Sequence, residues 1–274
     1  MSSMNMADLE KILFTVALVG YTISMAVYLS YILTKKESPL TGGKLVLAAA
    51  FAVHTAALIM RTIASGHAPF TNQYEFASCF AWGITGCYLA FQKRFRLQVM
   101  GIVVMPIAVL MMGYAAMQNK EISTLMPALQ SNWLVIHVLS AIIAYGAFAV
   151  ACATAAFYLL YEKLAQTMGN KMLSKEQLDT YTYRLVSFGF IFLTFVMICG
   201  AIWAQQAWGS YWSWDPKETW SLITWIIYAI FLHLRIGRGM RGNKAAWFAM
   251  IGFICVIFTY IGVNILLPGL HSYA

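Results

Sequence analysis

Apolar residues in this chain come in long unbroken runs, not in the alternation of strands or the narrow stripe of a surface helix. Eight runs stand out, roughly 11–33, 44–64, 76–92, 97–117, 132–160, 185–206, 221–235 and 245–266. A helix needs about 20 mainly apolar residues to cross a hydrocarbon core about 30 Å thick, and these runs approach or exceed that length. Those at 76–92 and 221–235 are short, and 132–160 is long enough to project beyond a bilayer. The period-two alternation of an outer-membrane barrel is absent from the sequence. The pattern predicts an all-α fold, a polytopic transmembrane helix bundle of about eight spans, forming one domain over 1–274. Residues 162–184 are its largest stretch outside the membrane, expected as a cytoplasmic helix and turn.

Composition agrees: 61% of the 274 residues are hydrophobic and 10% charged, too apolar for an ordinary soluble protein. Charge then orients the spans, because Lys and Arg beside membrane helices stay on the cytoplasmic side. Fourteen of the eighteen basic residues follow spans 1, 3, 5 and 7, and only Lys11, Arg61, Lys120 and Lys217 fall on the other face. Both termini are therefore expected outside the cytoplasm, together with the loop between spans 6 and 7. This asymmetry accounts for the net charge of +8, so no nucleic-acid role is assigned to it. Asp8 and Glu10 precede the first run and Lys35 and Lys36 follow it, without a small-residue cleavage pattern, so span 1 is expected to be retained. The five cysteines, Cys79, Cys87, Cys152, Cys199 and Cys255, lie inside apolar runs and form no CxxC pair, which reads as buried packing.

One stretch breaks the oily pattern: WGSYWSWDPKETWSLITW, residues 208–225, holds five of the nine tryptophans beside Asp215, Lys217 and Glu218. An interfacial aromatic belt explains one or two tryptophans per helix end. It does not explain Trp208, Trp212, Trp214 and Trp220 within thirteen residues of one loop. The local signals point to order, with Asp215 as helix cap, Pro216 at the first helical position and Glu218 in the first turn. An outward-facing platform for a large flat ligand, over 207–220, is the reading that covers these features.

Histidines narrow the ligand. His67, His137 and His271 sit at outer span ends, whereas His54 and His233 lie within spans, where ionisable residues are functional candidates by default. A porphyrin would use all of this: aromatic faces for the ring, imidazoles for the iron and cationic or hydrogen-bonding groups for the propionates. Haem, as haem b, is the natural candidate. His233 lies twelve residues beyond Ser221, or roughly 18 Å along a helix, while two imidazoles on one metal are only about 4 Å apart. One haem cannot use both His233 and an outer histidine. Two sites at different depths follow if His233 binds haem, and transport outward is the natural relation between them.

The segment WGSYWSWDPKETWSLITWIIYAIFLHLR resembles the tryptophan-rich WWD signature of the haem-handling proteins of cytochrome c maturation, of the CcsA (ResC) type found in system II synthases. Similarity extends to RTIASGHAPFTNQYEFASCFAW (61–82), NWLVIHVLSAIIAYGAFAV (132–150) and GLHSY (269–273). The resemblance implies that His137 and His271 ligate an outer haem iron and that His233 receives haem within the membrane. It implies that a CcsB (ResB)-type membrane partner supplies the second inner ligand, with His54 as a substitute weighed against a structural role. Trp208, Trp212, Trp214 and Trp220 would hold the ring. Lys217 is open between a propionate contact and charged surface, and Asp215 between haem binding and helix capping. The implied activity is that of a holocytochrome c synthase component, joining haem vinyl groups to the CxxCH cysteines of an apocytochrome c. A thiol-reducing thioredoxin-like protein belongs to the same implied setting, in a bacterial cytoplasmic membrane or in a thylakoid membrane of the same topology. Segment 66–76, with His67, Pro69, Asn72, Tyr74 and Glu75, is part of the resemblance without a derivable role. Two other readings stay open: a translocase that presents haem to a chaperone without making thioethers, and a di-haem electron-transfer subunit.

Overall fold

The computed structural model describes residues 5–122, 124–168, 173–267 and 269. Among them stand ten α-helices and no strand: α1 Met6–Thr34, α2 Ser38–Ser65, α3 Gln73–Phe95, α4 Gly101–Ala116, α5 Asn132–Leu159, α6 Tyr161–Met168, α7 Lys175–Trp208, α8 Pro216–Gly237, α9 Asn243–Ile257 and α10 Val263–Leu266. A π-helical turn, Phe258–Gly262, joins the last two. The all-α polytopic architecture expected from the apolar runs is the observed one.

Among the described residues, seven helical stretches are long and apolar enough to cross a membrane: α1, α2, Gln98–Ala116, α5, α7, α8 and Asn243–Leu266. The eighth expected span is helical too, as α3 over 23 residues. It is not apolar enough to join the seven, because Tyr, Trp, Gly, Thr and Gln interrupt its hydrophobic residues. Its polar residues Glu75, Ser78, Thr85 and Gln92 are buried, so protein rather than lipid surrounds them.

Two expected boundaries move. The loop predicted over 162–184 contributes α6 and the first turns of α7, which begins at Lys175 under a reciprocal cap between Ser174 and Gln177. At 34 residues α7 is about 51 Å long at 1.5 Å per residue, and its start carries polar residues that an apolar-run criterion passes over. The Trp-rich stretch is likewise more helical than expected, since α7 continues to Trp208 and α8 starts at Pro216. The true loop is 209–215.

The chain forms two compact units, Met1–Leu125 with Gln166–Met172, and Met126–Ala165 with Leu173–Ala274. In the first, polar side chains buried in the bundle satisfy one another. Tyr21 Oη on α1 lies 3.1 Å from His54 Nδ1 on α2 and 3.0 Å from Thr85 Oγ1 on α3. His54 Nε2 meets Ser78 Oγ at 2.9 Å. Both nitrogens of this fully buried imidazole are therefore engaged by neighbouring side chains, which fits the structural one of the two roles weighed for His54. It is a hydrogen-bonded core residue tying three helices together.

Segment 66–76 also gains a structural account. Asn72 caps α3 by accepting from the Glu75 backbone N–H at 3.0 Å. Glu75 accepts from Arg61 Nε at 2.8 Å, the Thr71 N–H at 2.8 Å and the Thr71 hydroxyl at 2.6 Å. Arg61 spends its other N–H groups on the carbonyls of Lys120 and Glu121, and Tyr74 donates to Glu10. Charges this deep persist only when paired and hydrogen-bonded; Arg61 and Glu75 meet that condition, while Glu10 Oε2 has no hydrogen bond and only the Arg61 charge 3.7 Å away.

Candidate functional site

The second unit carries the tryptophan-rich stretch. Gly209, at φ +77°, ends α7 in the left-handed conformation with its N–H donating to Gln205 O, a standard helix stop. Ser210 Oγ then donates to the Trp212 carbonyl at 2.8 Å. Asp215 caps α8, accepting from the Lys217 N–H at 2.9 Å, and Pro216 occupies the first turn, where its missing donor is harmless.

Glu218 organises the turn. One carboxylate oxygen, Oε2, accepts from the Ser213 N–H at 2.8 Å, the Ser213 hydroxyl at 3.2 Å and the Asp215 N–H at 3.2 Å. Residues on either side of Trp214 are thus held to one point. Trp214 itself takes φ +59°, a conformation that costs a bulky L-residue strain and that survives only where the surroundings impose it. The outcome is a tryptophan 68% exposed, with its ring 5.6 Å from that of Trp212 at 90°. Trp212 Nε1 is buried with no hydrogen-bond partner among the described residues. A buried donor without a partner is uncommon in folded proteins, and here it lies beside a tryptophan in a strained backbone conformation.

Trp208 continues inward through Trp203, their ring centroids 4.9 Å apart, and Trp203 in turn lies 6.0 Å from His137. Trp203 is 2% exposed and donates Nε1–H to the Ala128 carbonyl at 2.8 Å. His137, on α5, donates Nδ1–H to the Val196 carbonyl of α7 at 2.9 Å. A carbonyl only accepts, so Nδ1 carries a proton, which in a neutral imidazole places the lone pair on Nε2. The ring lies directly on Gly200, where a Cβ would come within 2.7 Å of Nδ1.

Trp220 stands on α8 rather than in the loop, packed against Phe258 at 4.2 Å between ring centroids. Lys217 is not simply charged surface: it is half-buried, and Nζ donates to Asn264 Oδ1 at 2.9 Å, fastening the start of α8 to α10. Gly269 lies against Asp215 and Pro216, with no room there for a side chain. His271, expected as the second outer ligand, lies outside the described residues, two positions after Gly269 in sequence. His233 lies on α8 thirteen residues beyond Trp220, about 20 Å at helical rise, and is exposed with no hydrogen-bond partner among the described residues. No group of three or more His, Cys, Asp or Glu stands together among the described residues.

Sequence reasoning missed Gly200 and Val196, Asn264, and the organising part of Glu218. Trp203 lies five residues before the 208–225 stretch, inside an apolar run that gives no sign of its contacts. Glycines and asparagines are too common in spans to signal such roles by themselves.

Comparisons with known proteins concern the family and the fold. The family model described as cytochrome C assembly protein matches residues 70–271. The chain is similar to the cytochrome c biogenesis protein CcsA of Chlamydomonas reinhardtii, 42% identical over 224 residues, covering 79% of this chain and 64% of that protein. It is similar to CcsA of Mesostigma viride at 35% over 300 residues, 98% of each, and to CcsA of Prochlorococcus marinus strain SARG at 39% over 248 residues, 79% of this chain and 78% of that protein. Among solved structures it resembles cytochrome c heme lyase CcmF, with TM-score 0.74 and 20% identity, covering 95% of this chain and 47% of that one. At that identity the likeness concerns the fold alone.

Proposed function

Because the chain belongs to the cytochrome c assembly protein family and is of its CcsA type, we propose that it brings haem to the outer membrane face and presents it for thioether attachment. The acceptor is the CxxCH motif of an apocytochrome c, and the chain works as a synthase component with a CcsB (ResB)-type membrane partner. The observation that carries this reading is the aromatic run His137–Trp203–Trp208, which ends at a turn that holds a strained, exposed Trp214 beside a buried, unpartnered Trp212 N–H.

Each residue has a part. His137 supplies neutral Nε2 to the iron, and His271 is the second outer ligand by resemblance. Trp208, Trp212, Trp214 and Trp220 hold the ring faces, and the Trp212 N–H meets a propionate oxygen. Asp215 and Glu218 hold the turn through their helix cap, while Lys217 anchors α8. Catalysis then comes from positioning: a vinyl-bearing edge is kept in reach of substrate thiols, whose nucleophilic sulfur the apocytochrome provides. His233 is the inner ligand, and its exposure on a membrane helix is costly unless a partner surface bearing the second ligand covers it. The positive-inside pattern puts the loop and both termini outside the cytoplasm, in a bacterial cytoplasmic membrane or a thylakoid.

The test is an optical spectrum of the detergent-purified chain, alone and with its partner, followed by co-expression with a CxxCH peptide. Bis-imidazole haem and covalent transfer to the peptide are expected. His137→Ala should weaken the outer haem signal, and exogenous imidazole should restore it. Haem bound but never attached would favour presentation to a chaperone, and no haem in either preparation would return the tryptophans to an aromatic belt.

A further inference from the structure

Gly200 sits in the middle of α7, where glycine is a poor choice. Its backbone is helical and its φ is not in the left-handed region, so no turn requires it, and alanine is the better helix former. What does require it is the His137 ring on the neighbouring α5. A Cβ at position 200 would stand 2.7 Å from Nδ1 and 2.9 Å from Cε1, closer than real carbon contacts allow. The missing side chain lets the imidazole lie flat enough on α7 to reach the Val196 carbonyl at 2.9 Å. That carbonyl has two lone pairs, so it can serve both its own helix and the imidazole.

We propose that Gly200 and the Val196 carbonyl are positioning residues that set the angle and tautomer of His137, delivering its Nε2 to haem iron as a pre-oriented neutral ligand. The inference rests on the reading of His137 as an outer iron ligand. The Nδ1–H to carbonyl bond makes Nε2 more basic, as outer partners of ligating histidines do. Trp203, 6.0 Å away and tilted 35°, limits ring rotation from another side. No proton or electron is transferred by either positioning residue.

The same helix offers an internal control. Gly189 meets the Phe148 ring, where a Cβ would lie 2.6 Å from Cε1, so an alanine there creates the same kind of overlap without touching an imidazole. In the full chain, purified with haem, Gly200→Ala should reproduce His137→Ala: a loss of the low-spin bis-imidazole spectrum, outer-site haem affinity lower by on the order of 10- to 100-fold, a more positive midpoint potential and recovery with exogenous imidazole. Gly189→Ala should lower thermal stability and leave the spectrum, the potential and the imidazole response as they were.

A second pair keeps the test independent of folding. His137→Gly removes the clashing ring and opens a slot for free imidazole, so adding Gly200→Ala to it causes no overlap. The added methyl should partly fill the slot and weaken imidazole binding to the outer haem by about tenfold, a difference of 1.4 kcal/mol. A native spectrum and potential in Gly200→Ala, with His137→Ala clearly altered, would overturn the cradle while leaving the ligand assignment intact. So would equal imidazole affinity in the single and double variants, or a spectral change in Gly189→Ala matching that of Gly200→Ala. An unaltered spectrum in His137→Ala would remove the ligand reading itself, and the cradle with it.

Discussion

The buried cluster around Arg61 and the turn around Trp214 handle polarity in opposite ways. Arg61 is 1% exposed and its guanidinium reaches Glu75 and two carbonyls, with Glu10 Oε2 3.7 Å away. Its charge is answered inside the protein. Around Trp214 the carboxylate of Glu218 is answered too, by Ser213 and Asp215, but those bonds serve to hold a bulky residue in a strained conformation beside an unpartnered indole. A network of this kind, turned inward on the Arg61 charge, stabilises a fold. The turn instead uses its hydrogen bonds to hold strain and exposed aromatic surface, which on the proposed reading serves a ligand.

Substitutions that separate the two roles test this contrast. The largest effect on stability is expected from Arg61→Leu, which strands two buried carboxylates. Breaking a buried pair by removing one partner costs about 3–5 kcal/mol, so the midpoint of thermal unfolding in detergent should fall sharply and the yield with it. Were Arg61→Leu to match the parent in unfolding temperature, the cluster would not be the structural staple described above.

Asp215→Ala should cost less, about 0.5–2 kcal/mol for a lost helix cap, and should act on both sides of the comparison. Unfolding would move modestly and haem retention through a desalting column would drop, because the turn that carries Trp214 loses its reference point. Retention equal to the parent would mean that the cap has no part in shaping the loop.

Trp214→Gly is expected to do least to stability. Glycine takes a positive φ without penalty, so release of left-handed strain offsets the lost ring contact with Trp212, and the unfolding midpoint should stay level or rise slightly. Haem retention should nevertheless fall, since the exposed ring is gone. A variant that loses stability and keeps its haem would reverse the assignment of strain to function at this position.

Much of the site is legible in the amino-acid order. Asp-Pro-Lys-Glu at 215–218 reads as a capped helix start from local chemistry alone, and the structure has that cap. The eight apolar runs read as helices, because hydrocarbon leaves the backbone no other partner than itself. Lys217 was ambiguous, since its chemistry suits a propionate or open water, and only the fold brings Asn264 to it from forty-seven residues away. His54 and His137 look alike as histidines on apolar helices. One has both nitrogens taken by α1 and α3, and the other has Nδ1 fixed to a carbonyl of α7.

The sequence by itself determined the membrane character, the helical class, the family resemblance and the stretch where chemistry gathers. Each of these is local, set by runs of apolar residues, charge beside spans and a dense motif read along the chain. Tertiary structure decided which histidine is core and which is tied to a carbonyl, why Gly200 carries no side chain, and how Trp214 comes to be strained. These depend on atoms from helices distant in sequence meeting within about 3 Å, the range over which hydrogen bonds and steric overlap act.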